Sequence, residues 1–146
     1  MAGPQAEQTT VIVCEDIRRE ESGRLSLMGV YGPSIEVART PIRLPSLCCA
    51  LILLNPRRAV GVRMRIVGPD KKEVARVDAP SPASYPPPPF VSAHQFRVFP
   101  FPIEMPGAYE ISFSFEGDDP GSETLVHRIA VRVATPPAEG AGAPSI

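Results

Sequence analysis

The sequence predicts an all-β protein, a single antiparallel β-sandwich of about eight or nine strands with turns at the spacing typical of sandwiches. Three observations carry this. The stretch Pro106–Asp119 opens on a Pro-Gly turn and then alternates: Tyr109, Ile111, Phe113 and Phe115 on one face, Glu110, Ser112 and Ser114 on the other. Period two marks a strand with one buried and one wet face, and this one reads as the central strand. The chain has 19 prolines in 146 residues. Proline removes a backbone donor and clashes inside a helix, so the composition argues against a helical protein. Turn signals recur along the whole chain at intervals of about 8–12 residues, as in a sandwich. No internal repeat is visible, which excludes a solenoid or propeller.

The elements follow in order. Residues 1–8 read as a flexible lead. Thr9–Ile17 is the first strand; its apolar residues fall on both parities, so both faces are expected to be covered. Arg18–Arg24 is a charged turn, and Leu25–Tyr31 returns as the second strand of a hairpin. Gly32-Pro33 ends it, and Ile35–Ala38 is a short extended piece. Pro41 and Pro45 bracket a linker across one end of the sandwich. Leu47–Leu54 is apolar without alternation; its length and flanking prolines favour a buried strand over a helix. Asn55–Arg58 is a turn. Val60–Val67 alternates, with Val60, Val62, Met64 and Ile66 inward and Arg63 and Arg65 outward. Gly68–Lys72 is a turn with proline at its second position, and Glu73–Val77 is the hairpin partner.

Ala79–Pro89 has the composition of an extended polyproline segment. It reads as a stiff connection between sheets, with a ligand for an aromatic groove as the alternative. Phe90–Phe99 is a strand, interrupted by Pro100 and Pro102, which imply an edge or a bend. Leu125–Val133 is the last strand. One domain, residues 9–134, is therefore expected, followed by a disordered Pro/Gly/Ala tail over 135–146.

Two stretches resemble known families. Tyr109, just after Pro106-Gly107 at the start of a late strand, resembles the tyrosine of immunoglobulin-like and fibronectin-type domains. That resemblance implies an immunoglobulin/fibronectin-like sandwich whose tyrosine hydroxyl bonds back to nearby backbone. The hairpin Val11–Tyr31 resembles a family of small bacterial proteins of unknown function, through Cys14, Asp16, Ile17, Arg18, Gly23, Arg24, Gly29 and Tyr31. It implies a shared β-rich fold and no particular reaction.

The chemistry is sparse. A net charge of −1 argues against a nucleic-acid binder, which usually carries a basic excess. The N-terminus has neither the basic start nor the apolar stretch of a secretory signal. The longest apolar run, Leu47–Leu54, is too short for a spanning helix. A cytoplasmic protein without membrane partners is expected. Cys14, Cys48 and Cys49 form no disulfide framework and no CxxC-like ligand set, so they read as small buried side chains. His94 and His127 read as structural or surface residues.

The acidic turn Glu116–Glu123 and Asp70 are calcium-type donors. If their strands are antiparallel neighbours the two loops lie at opposite ends, and a solvated turn is expected. There is no G-x-S-x-G elbow and no phosphate-cradling loop. The chain has no Trp and only 6% aromatics, too few for a sugar-stacking platform. No catalytic residue, metal ligand or cofactor is assigned.

What remains is the hairpin. Asp16 ends an apolar strand and must be paired if buried. Arg18 shares its face, and Arg24 stands across the hairpin, so a structural ion pair that pins the turn is the plainer expectation. The functional reading is a partner-binding patch of Asp16, Arg18, Arg19 and Tyr31, since Arg and Tyr are common interface anchors. The expected function is a non-catalytic sandwich that binds a protein or its own copies. One alternative is a small-molecule or metal-binding module using the inter-sheet cavity or the Asp70 and Asp118 loops. Another is an enzyme in which Asp16, His94 or His127 converge in a pocket.

Overall fold

The structure is a computed structural model and describes residues 6–57, 61–80, 84–117 and 125–134. These hold eleven strands: β1 (Gln8–Arg19), β2 (Leu25–Val30), β3 (Ser34–Val37), β4 (Ile42–Leu44), β5 (Leu47–Leu54), β6 (Val62–Val67), β7 (Glu73–Ala79), β8 (Val91–Val98), β9 (Phe101–Ile103), β10 (Gly107–Phe115) and β11 (Leu125–Val133). One sheet has the order β2-β1-β5-β8, the second β3-β11-β10-β6-β7, and β4 pairs with β9 alone. No helix among the described residues is long and apolar enough to cross a membrane.

β10 is the middle strand of the five-stranded sheet, and its alternation is realised: Tyr109, Ile111, Phe113 and Phe115 are all buried. Its other face is drier than the pattern implies, because Ser112 is buried too. Across the gap, β5 contributes Leu47, Cys49, Leu51 and Leu53, β1 contributes Val13 and β8 contributes Phe96. The Phe96 and Phe113 rings meet between the sheets with centroids 5.5 Å apart. Burying apolar side chains from both layers against each other is what makes the two sheets one domain.

The non-alternating runs have a reason. Cys14, Cys48 and Ala50, of the opposite parity in β1 and β5, form a second buried cluster with Ile17, and Ile12, Leu25, Leu27 and Ile52 pack against it. Both faces of these two neighbouring strands are therefore covered, so neither can alternate.

Three expectations need correction. The count rises from eight or nine to eleven because the segment read as a linker contains β4, and the Pro100–Pro102 stretch contains β9. The two pair as Ile42↔Ile103, Arg43↔Pro102 and Leu44↔Phe101. Pro102 is tolerated in a two-stranded pair because an edge strand can point its missing donor away from the ladder. The sandwich is not purely antiparallel. β3 crosses over from the other sheet and runs parallel to β11, from Ala130↔Ser34 to Val133↔Val37. Finally, β1 begins within the segment read as a lead: Ala6 is buried, the Glu7 N–H donates to the Leu54 carbonyl at 2.8 Å, and Gln8 pairs with Leu54. The expected tail over 135–146 lies outside the described residues.

Candidate functional site

The β1–β2 hairpin is built from Cys14↔Val30 to Arg19↔Leu25. Its turn closes with Glu20 N–H to Arg24 O at 2.8 Å and Gly23 N–H to Glu20 O at 2.9 Å. Ser26 Oγ donates to Glu20 Oε1 at 2.7 Å. Gly29 sits in the left-handed region at φ 64°, and the Glu15 side chain folds over it. A Cβ there would lie 2.7 Å from Glu15 Cδ, an exposed side-chain end that can swing away, so it is the left-handed backbone that favours glycine.

Asp16 is the hub. Arg18 Nε reaches its Oδ2 at 3.4 Å, and Arg97 Nη2 reaches Oδ1 at 2.6 Å. Oδ1 also accepts the Ile17 N–H at 2.9 Å, and the same Arg97 nitrogen donates to Ile17 O at 3.0 Å. Arg97 lies on β8, two strands away: Cys14 pairs with Cys48, and Cys48 pairs with Arg97. The guanidinium thus spans β5 to fasten the hairpin to the far side of its sheet. Arg24 was the cross-hairpin partner expected from sequence, but Arg97 takes that place. Nothing local in the sequence marks it, since the two residues stand 81 positions apart.

The four candidate residues do not form one surface. Asp16 and Arg18 come together on one face, and Arg19, of the other parity, is exposed at the strand's end. Tyr31 is half-buried and packs against the main core, its N–H bonded to Val13 O at 2.8 Å. Burial, and then the Glu15 carboxylate, push its phenol pKa up. The exposed apolar side chains here are on β2 instead: Met28 is 42% and Val30 59% exposed.

The chemically versatile residues are otherwise engaged. The three cysteines are free and buried. Burial pushes the Cys14 thiol pKa up and Cys49 further still. His94 faces the inter-sheet core opposite Leu51. Its Nε2 lies 3.2 Å from the Tyr85 hydroxyl and 3.4 Å from Ser92 Oγ, and burial lowers its pKa. His127 is on the other sheet, opposite the core residue Ile111, whereas Asp16 is tied to Arg97 on the four-stranded sheet. Tyr85–Phe90 is fastened at both ends, through Tyr85 to His94 and through the Phe90 N–H to Asn55 Oδ1 at 2.9 Å. The Asp70 turn and the Glu116 turn lie at opposite ends of the β6–β10 pair, as Glu110↔Val67 and Phe115↔Val62 require. Asp118 lies outside the described residues. Among the described residues no group of three or more His, Cys, Asp or Glu side chains could hold a metal ion.

A family of unknown function, DUF6941, matches residues 9–134. The chain belongs to that family. No curated protein matches this DUF6941 chain. Among solved structures it is similar to the Pseudomonas fluorescens alkylpurine DNA glycosylase AlkC, at 12% identity and a TM-score of 0.39, over 89% of this chain and 31% of that one. The DUF6941 chain thus spans about a third of the glycosylase's length. It is also similar to a Pyrococcus furiosus CARDB domain solved with two metal ions, at 12% identity and a TM-score of 0.40, over 91% of this chain and 95% of that one.

Proposed function

We propose that this DUF6941 domain is a non-catalytic, immunoglobulin-like β-sandwich that binds a protein partner or a second copy of itself through the β1–β2 hairpin. One observation carries the reading. Among the described residues β2 is an edge strand whose hydrogen-bonded neighbour is β1, and it exposes Met28 and Val30 without a proline or a charge along Leu25–Val30. Natural proteins usually blunt such edges, because an open row of backbone donors and acceptors templates pairing. The other edge of this sheet, β8, lies close to β7. β7 itself carries Glu73, Arg76 and Asp78.

Asp16 with Arg18 and Arg97 supplies a charged rim beside the apolar edge, an arrangement common at interfaces. The Tyr109 hydroxyl, bonded to Met105 O at 2.8 Å, supports the immunoglobulin-like reading. The free cysteines and the hairpin's resemblance to bacterial sequences support action in a bacterial cytoplasm. A non-enzymatic role is favoured by the engagement of Asp16, His94 and the cysteines.

The test is light scattering over a range of concentrations, together with crosslinking from the Met28 and Val30 positions in lysate. Self-association or a crosslinked partner that is lost in Val30→Lys is expected. A strict monomer that captures nothing through these positions contradicts the reading.

A further inference from the structure

Two of the three cysteines stand opposite one another. Cys14 on β1 and Cys48 on β5 are Cα partners in the antiparallel ladder, and both are buried. The Tyr31 N–H donates to Val13 O, so the Val13 backbone faces β2 and the Cys14 backbone faces β5. Cys14 and Cys48 are therefore a hydrogen-bonded pair, whose Cα atoms lie about 5.5 Å apart. That separation is among the commonest in disulfides, about 5.5–6 Å.

Opposed residues project from the same face of a sheet. The two sulfurs both turn toward the backbone of residues 15 and 16. Cys14 Sγ donates to Asp16 O at 3.4 Å, and Cys48 Sγ to Glu15 O at 3.6 Å. Cys49 is excluded from the pair: it is the next residue of β5 and belongs to the inter-sheet core.

The cover over the two thiols is thin. Their cluster draws only on β1, β2 and β5, with no residue of the facing sheet. The ion pair beside it is open to water, Arg97 48% and Asp16 36% exposed. Arg97 lies opposite Cys48 in the ladder, and of its neighbours the Cys48 sulfur acts most strongly on its guanidinium. The arrangement is two sulfurs at bridging range, one of them beside a cation, under a single layer of side chains.

We propose that Cys14 and Cys48 are a redox-sensitive dithiol, closed by a small hydroperoxide into a cross-strand disulfide that ties β1 to β5. Cys48, beside the guanidinium, gives its proton to water and attacks the terminal peroxide oxygen. The O–O bond breaks, the leaving oxyanion takes a proton, and Cys48 becomes a sulfenic acid. Cys14, whose thiol burial holds in its protonated form, is the resolving sulfur. It attacks Cys48 Sγ; the S–O bond breaks, and the departing hydroxide takes the Cys14 proton and leaves as water. Two thiols are oxidised to one disulfide, and one hydroperoxide is reduced to an alcohol and water. A free thiol restores the pair by exchange. The proposal is independent of what the hairpin binds.

The test exposes the folded full chain to hydrogen peroxide, alkylates the remaining thiols after unfolding, and maps the peptides without reduction. Two of the three thiols should become unreactive to alkylation, with Cys14 joined to Cys48 in the same chain. Far-UV circular dichroism should stay unchanged throughout, and dithiothreitol should restore all three thiols. Cys49→Ala should close the same bond, and Cys14→Ala should form no disulfide within the chain. Thiols that all remain open to alkylation would overturn the proposal. So would a bond through Cys49 or between chains, oxidation of one sulfur without a bond, or a bond that appears only as the folded signal is lost.

Discussion

Replacing Tyr109 by Phe isolates a single buried hydroxyl. The ring is 2% exposed and keeps its place in the core, against Phe101 at a centroid distance of 6.0 Å. Only the bond to Met105 O at 2.8 Å is lost. A net hydrogen bond contributes about 0.5–1.5 kcal/mol, and a stranded buried acceptor costs about 1–3 kcal/mol. Met105 is half-buried, so water can reach part of that carbonyl and the lower end applies. The expected loss is about 1–1.5 kcal/mol, which for a domain of this size lowers Tm by roughly 4–6 °C.

Tyr31→Phe is the matched control. Its ring also packs on the core, but no comparable tie of its hydroxyl across a connection is present among the described residues, and a change within about 0.5 kcal/mol is expected. Urea and thermal unfolding followed by far-UV circular dichroism measure both. A Tyr109→Phe variant as stable as the parent, or a Tyr31→Phe variant that loses more, would refute the claim that this hydroxyl locks the β9–β10 connection.

Three further outcomes follow from the same geometry. A double-mutant cycle on Asp16→Asn and Arg97→Met should give a coupling of about 0.5–1 kcal/mol, no more, because the side chains are 36% and 48% exposed and solvent screens the pair. Stability should fall as pH drops below about 6.5, the ordinary histidine value from which burial lowers His94. The unfolded chain then binds a proton the folded one resists, so urea midpoints at pH 7.5 and 5.5 should differ in the parent and converge in His94→Gln. Gly107→Ala should cost about 1–3 kcal/mol, because the new Cβ meets Pro69 at 2.7 Å and φ is 135°; thermal unfolding measures it.

Much of the architecture was legible because hydropathy reports local geometry. β10 and β6 announce themselves by alternation, and β5 by an apolar run that ends where the strand ends, Leu47–Leu54. What escaped was non-local or very short. β4 and β9 have three residues each, less than two periods of any pattern, and β9 contains Pro102. The parallel pairing of Ser34 with Ala130 joins segments whose sequences say nothing of one another. Ser112 looked wet because serine is small and polar, yet the middle strand of a sheet is shielded by its neighbours.

At the hairpin, the need of Asp16 for a partner was readable from its position, and Arg18 supplied half of it. The other half, Arg97, was not. Tyr31 read as an anchor because tyrosine often is one, but just past the end of β2 its ring packs against the core.

The open edge of β2 is the claim on which the functional account rests. Backbone hydrogen exchange across Leu25–Val30, measured on the full chain at low and high concentration and in the presence of any crosslinked partner, tests it most directly. The account predicts fast exchange at the outward amides of β2 in the dilute chain and marked protection on association, with β5 and β10 unchanged. Association that leaves these amides as fast as before would contradict it.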